Sequence, residues 1–242
     1  TLHPSGYRLH FSDNLVKPGT DSFLLAVFAR VRPGMRVCDL GAGIGLLGLL
    51  LLNRCPTLSV CSVELQERAA EMTARNIEAN HLHDHMTLCH ADLRCLRGIL
   101  RAGETDLVIS NPPYFRRDSG GKADGAVRLA AREEATCTIE DVCAAAGYLL
   151  RWGGSFSLVY RPERLTDLLC AMRASGIEPK RLRFVEKRSG MPPILVLLEG
   201  RRGGKPGLTF EPPLVIYGED GRESVEMDRI NFRNERKRST AP

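Results

Sequence analysis

The stretch from Met35 to Asn53, MRVCDLGAGIGLLGLLLLN, constrains the fold more than any other part of the chain. An apolar, β-rich run ends in Asp39, glycines stand at positions 41, 43 and 45, and an apolar segment begins at Ile44. A strand over 35–40 that feeds a helix over 44–53 through a glycine turn starts a βαβ unit, which needs a parallel partner strand. The glycines let the backbone turn sharply and approach a ligand closely. In doubly wound sheets this first turn lies at the carboxyl edge of the strands, where ligands bind.

The alternation continues along the chain. Strands are expected over 58–65, 86–93, 106–110 and 155–160, and near 181–186 and 194–199. Helices are expected over Glu67–Asn80, near Leu96–Arg101, from Thr138 to the Gly153–Gly154 pair, and after Pro162. Thr138 and Asp141 have the spacing of a capping box, and proline is tolerated in a first helical turn. The expected fold class is α/β, Rossmann-like, with seven mostly parallel strands and helices on both faces. One domain spanning 1–242 is expected, with an N-terminal covering segment over 1–30 and a basic tail over 218–242. Two segments fall outside the alternation. One is the glycine-rich loop RRDSGGKADGAV, 116–127, too long for a mere connector. The other runs from Gly200, through turns marked by GGKPG, EPP and YGEDG.

At 242 residues, 43% hydrophobic and 26% charged, the chain can bury one sizeable core. Its longest apolar run, near Leu46–Leu52, is far short of the roughly 20 residues that cross a bilayer. The first twenty residues lack the layout of a signal peptide. Eight cysteines without a C-x-x-C pair read as small apolar residues in a reducing cytoplasm. Net charge is +5, and arginine supplies all but six of the 34 basic residues. Arginine suits bidentate phosphate contacts and base stacking. Arg116, Arg117 and Lys122, with Arg236, Lys237 and Arg238 of the tail, are candidate contacts to a polyanion. HLHDHMTLCH (81–90) gathers histidines, but away from the ligand edge and in no zinc spacing, so no metal is expected. Trp152, beside a glycine pair at a helix end, is expected to pack.

Acids close three successive strands: Asp39, Glu64 and Asp92. A dinucleotide fingerprint would place its third glycine one residue later, where this chain has Leu46, so the turn is shaped for something other than a pyrophosphate. An acid ending the second strand can take ribose hydroxyls, and Asp92 can accept from an adenine amino group. Each acid alone also fits a helix cap or a solvated strand end. The fourth strand runs into Asn111, Pro112, Pro113 and Tyr114, and the two prolines end it and stiffen the backbone. The Asn111 side chain and the Pro112 carbonyl can accept from one planar NH₂ group, with Tyr114 offering a flat face to its ring. A conjugated amine is a poor nucleophile, so such a clamp would act by positioning and electrostatics, with no dedicated base. Adenine N6 and a glutamine side-chain amide both present such a group, and the clamp does not separate them.

The D-x-G-x-G-x-G run at Asp39–Gly45, the two further acids and N-P-P-Y together resemble the class I S-adenosylmethionine-dependent methyltransferases. The resemblance implies S-adenosylmethionine as cofactor. Asp39, Gly41, Gly43 and Gly45 would surround its methionine part, Glu64 and Leu65 its ribose, Asp92 and Leu93 its adenine, with Asn111 beside the methyl. KPGTDSFLL (17–25), AREEATCTIED, RPERL, EPKRLRFV and the late GGKPGL and PPLVIY resemble the bacterial valine-tRNA adenine-N6-methyltransferase family, from about Lys17 to Tyr217. That implies tRNA as partner, modified at the adenine next to the anticodon. It also implies that Lys17–Asp21 closes over the cofactor, with Thr20 near its methionine end. On the residues alone, Thr20 and Asp21 equally fit the cap of a helix starting near Ser22. Two other readings stand beside this one: a protein glutamine-amide methyltransferase, and a module that binds cofactor and RNA without turnover. The sequence implies no oligomeric state.

Overall fold

The computed structural model describes residues 6–11, 19–112 and 137–231. Eight strands form one sheet in the order β3-β2-β1-β4-β5-β7-β6-β8. They are β1 (Arg36–Leu40), β2 (Ser59–Glu64), β3 (Met86–His90), β4 (Thr105–Ser110), β5 (Leu150–Tyr160), β6 (Ile177–Glu186), β7 (Pro193–Arg202) and β8 (Thr209–Val215). Only β7 runs against the rest, paired antiparallel with both β5 and β6. The helices are α1 (Thr20–Phe28), α2 (Leu46–Arg54), α3 (Glu67–Ala79), α4 (Ile139–Leu149), α5 (Leu165–Ala174) and the short α6 (Val225–Ile230).

Alternation along β1 shows how the sheet divides its core: Val37 packs on one face, Cys38 and Leu40 on the other. The first face is covered by apolar residues of α1, α2, α3 and α6, the second by those of α4 and α5. A sheet buried on both sides explains the near-continuous apolar runs in β1, β4 and β7. Among the described residues no helix is long and apolar enough to cross a membrane. All eight cysteines are free thiols.

The eighth strand corrects the expected seven. Pro212 and Pro213 had marked this stretch as a turn, but β8 is an edge strand, where proline is tolerated. Its register with β6 shifts just there, between Arg183 and Val185, so neither proline has a place in the ladder. The fifth strand is also longer than expected, because Gly153 and Gly154 lie inside β5 and do not close α4, which ends at Leu149. Gly153 takes φ +77°, and the β4–β5 pairing shifts register beside it, the usual sign of a bulge. Trp152 therefore lies on a strand, 75% exposed. Its ring covers Gly203, where an added Cβ would sit 2.2 Å from it. The helix expected near 96–101 is instead a 3-10 turn at Leu93–Cys95 followed by a tight turn.

Candidate active site

Parallel strands bring the carboxyl ends of β1, β2, β3 and β4 to one edge, so Asp39, the glycine turn, Glu64, Asp92 and Asn111 share it. Backbone and side-chain bonds staple these ends sideways. Gly41 and Ala42 both donate to the Val63 carbonyl, at 3.0 and 2.9 Å, and Ala91 donates to Glu64 O at 3.0 Å. The buried Ser110 hydroxyl donates to Leu40 O at 2.7 Å, fixing the end of β4 against the end of β1.

Gly41, Gly43 and Gly45 have φ of +71°, +56° and +79°, in the left-handed region that costs other residues most. A Cβ on Gly41 or Gly43 would meet no heavy atom of the described residues within 4 Å, so among them the space above both is open. On Gly45 it would press against Met86 and Thr73 at 3.0 and 3.1 Å. The first two glycines thus leave a concavity, and the third lets α2 start close to the sheet.

Glu64 holds the turn. Its Oε2 accepts from Gly43 N and its Oε1 from Gln66 N, both at 2.7 Å. A carboxylate has about four acceptor sites, so both oxygens can take a further hydroxyl. Burial raises its pKa above the ordinary carboxylate value, against the pull of the backbone amides. Asp39 is fully buried, and among the described residues neither carboxylate oxygen has a hydrogen-bond partner of ordinary geometry. Burial first, then the charges of Glu64 and Cys61, push its pKa up to about 8, with the Gly48 amide pulling the other way. A buried polar group left unsatisfied is costly. Here it lies under a turn open to a ligand.

This gives a first prediction. Below about pH 4 Asp39 is protonated whether the chain is folded or not. As pH rises to 8 the unfolded chain releases that proton while the folded chain keeps it, so the residue destabilises the ligand-free fold progressively, by on the order of 4 kcal/mol at pH 7. Asp39→Asn should therefore melt higher than the parent at pH 8 without ligand, with the gap closing towards pH 4. Thermal melts across that range check it; curves that stay parallel at all pH values would contradict it.

Asp92 takes the capping role that its simpler reading allowed. Its Oδ1 caps the 3-10 turn by accepting from Arg94 N at 2.9 Å. The Arg94 guanidinium also holds the carboxylate, with Nε 3.0 Å from each oxygen and Nη2 2.5 Å from Oδ2. That pairing keeps the carboxyl below its usual pKa. An adenine amino group would share the carboxylate with Arg94. Leu65, beside Glu64, is 42% exposed, while Leu93 packs against the core.

At the end of β4, Asn111 is half-buried and Pro112 buried. The ladder stops at Ser110, so Pro112 lies beyond it. Asn111 Nδ2 donates to Ser22 Oγ of α1 at 3.1 Å. Helix α1 begins at Thr20, two residues earlier than expected. Its cap is Gly19, with no side-chain capping bond, so Thr20 and Asp21 stand inside its first turn. Pro113, Tyr114, Arg116, Arg117, Lys122, Arg236, Lys237 and Arg238, with Lys17 and the 116–127 loop, lie outside the described residues.

Several supporting residues were not anticipated. Thr73 Oγ1 donates to Gly43 O at 2.8 Å. Asn76, fully buried, donates to Ile44 O at 2.9 Å and also binds both the N–H and the carbonyl of His10. One turn on, Asn80 binds Arg8 in the same way. Two carboxamides thus lay the N-terminal residues along α3 and tie them to the glycine turn. The available signal was a carboxamide at a core-facing position of α3. The histidines are not gathered: His83 pairs with Glu78, His85 with Leu58 O and His90 with Leu65 O. Among the described residues no group of three His, Cys, Asp or Glu side chains could hold a metal ion.

Comparison with known proteins identifies the family of the chain. Residues 9–167 match the model of the methyltransferase small domain family. A protein of Tolumonas auensis named tRNA1(Val) (adenine(37)-N6)-methyltransferase is 33% identical over 88% of this chain and 86% of its own. One of the same name from Cronobacter sakazakii is 33% identical over 85% and 82%. A solved structure from Agrobacterium tumefaciens, described as a predicted O-methyltransferase, superposes with a TM-score of 0.72 at 23% identity, over 87% of this chain and 95% of that one. At that identity it speaks for the Rossmann-like fold alone. The chain belongs to the methyltransferase small domain family.

Proposed function

We propose that this protein transfers a methyl group from S-adenosylmethionine to the N6 amine of an adenine in tRNA. By its relatives' names, that base is the adenine at position 37, next to the anticodon, of a valine tRNA. The observation that carries the reading is the placement of Asn111 and Pro112, two acceptors beyond the ladder, at the edge that also holds Asp39, the open glycine turn and Glu64.

The residues present fit the cofactor. Glu64 retains acceptor capacity for the two ribose hydroxyls, the space over Gly41 and Gly43 would admit the methionine portion, and the buried Asp39 side chain lies below that turn. Leu65 would lie with Glu64 beside the ribose, and Asp92 would accept from the adenine amino group. Thr20, in the first turn of α1, would border the cofactor's methionine end. When bound, the cofactor supplies an electrophilic methyl on a sulfonium. The chain's own contribution is to the acceptor. Asn111 Oδ1 and the Pro112 carbonyl take hydrogen bonds from the two N6 hydrogens, which draws the nitrogen out of conjugation and turns its lone pair to the methyl. Tyr114 stacks on the base once it has left its own stack, worth roughly 1–3 kcal/mol. No side-chain base is needed: as the N–C bond forms the C–S bond breaks and S-adenosylhomocysteine leaves as a neutral thioether, and the methylated nitrogen, cationic and therefore strongly acidic, sheds its extra proton to water. Arg116, Arg117, Lys122 and the tail arginines and lysine contact tRNA phosphates, and the reading places the protein with its substrate in the cytoplasm.

The test is incubation of the pure protein with cofactor carrying a labelled methyl, in the presence of total tRNA or total cellular protein. Label is expected in tRNA, as N6-methyladenosine after digestion. Label confined to protein would transfer the clamp to a glutamine amide, and binding of cofactor with no transfer would leave a module without turnover.

A further inference from the structure

Helix α1 carries one hydroxyl into the apolar interior. In TDSFLLAVF the residues Leu24, Leu25, Ala26 and Phe28 are buried, and so is Ser22, at 8% exposure. Its Oγ lies 3.1 Å from Nδ2 of Asn111, 89 positions along the chain. Nothing in the cofactor edge itself requires this bond, yet it touches the side chain on which the amine clamp depends.

A carboxamide has two ends of nearly equal shape and opposite hydrogen-bonding sense. Only the oxygen can accept from an incoming NH₂; the reversed amide would set two donors against each other. With Nδ2 committed to Ser22, the oxygen occupies the opposite edge of the planar amide. We propose that Ser22 is a positioning residue for methyl transfer, accepting from Asn111 Nδ2 so that the Asn111 oxygen faces the amine. This rests on the reading of Asn111 as an acceptor for the substrate.

The hydroxyl stands on a helix that is itself fixed. Arg181 Nη2 donates to Phe28 O at 2.6 Å, and Arg54 Nη1 donates to Ala29 O at 3.1 Å and to Ala26 O. Buried leucines of α1 pack against the same sheet face as α2. Ser22 is thus held at the distance its partner needs, as a supporting shell must be if it is to orient a reacting group.

The experiment is a double-mutant cycle with Ser22→Ala and Asn111→Ala, on the full chain. Three quantities are read: the single-turnover methyl-transfer rate on tRNA, the cofactor Kd by calorimetry, and the melting temperature without cofactor. Ser22→Ala should slow transfer by about tenfold, the scale of one lost hydrogen bond, and leave the cofactor Kd within about twofold. In the Asn111→Ala background it should slow transfer no further, and the melting shifts of the two changes should couple rather than add. An equal slowing in both backgrounds would overturn the proposal, as would melting shifts that add independently, or a loss seen only in cofactor Kd. The functional reading fails in a different way: Asn111→Ala alone would then transfer at the parent rate.

Discussion

Asn111→Ala should slow methyl transfer about 100- to 1,000-fold, with a much smaller change in cofactor affinity. That is the scale seen when one preorganised hydrogen-bonding group is removed from a site of developing charge. The side chain stands one residue past the β4 ladder, between Ser110, whose hydroxyl is bonded to Leu40 O, and the buried Pro112. It is therefore held at a strand end, and its loss removes the side-chain acceptor on which the proposed clamp depends. Single-turnover rates with saturating cofactor and tRNA isolate the chemical step from binding. A rate near the parent's would remove the clamp from the mechanism.

The second large effect is on stability. Arg181, on β6, is buried together with Glu199 of β7. Its Nη2 bonds Glu199 Oε2 at 2.8 Å, its Nη1 bonds Glu211 Oε1 on β8 at 3.0 Å, and its guanidinium lies 3.7 Å from the Phe28 ring centre. One side chain thus ties α1 to three strands. Arg181→Met should destabilise the fold by about 3–5 kcal/mol, because Glu199 would be left charged and unpaired in the interior. At this chain length that corresponds to a melting temperature lower by roughly 6–20 °C. Adding Glu199→Leu should recover most of the loss, since a well-packed apolar pair is often no worse than a buried ion pair. Denaturant or thermal unfolding of the single and double variants decides it. A double variant as unstable as the single one would show that packing of the arginine, not its charge, holds the site together. Because Arg181 also holds Phe28 O, the single variant should loosen α1 and with it the Ser22–Asn111 bond.

What could be read from the sequence followed local chemistry. The strand, glycine turn and helix over 36–54 announce themselves, because β-rich apolar residues, glycines at alternate positions and a leucine run each favour one conformation. The box at Thr138 and Asp141 forms as its spacing implies, each residue bonding the other's backbone. The strand-end acids were visible because strand ends of a parallel sheet share one edge. The errors arose where a tertiary partner overrode a local signal. Pro212 and Pro213 read as a turn until β6 offered an edge whose register slips past them. Gly153 and Gly154 read as a helix stop, although they bend a strand. Ser22 and Asn76 could not be assigned because their partners, Asn111 and the Ile44 carbonyl, lie far along the chain. Asp92 was legible as an acid at a strand end, but not as one already held by Arg94.

The most direct measurement is nucleoside mass spectrometry of tRNA from cells that carry or lack this protein. The account predicts that N6-methyladenosine in the valine tRNA disappears without the protein. It should return when the parent chain is restored, and remain absent when the Asn111→Ala chain is restored. An unchanged level of that nucleoside in cells without the protein would contradict the account.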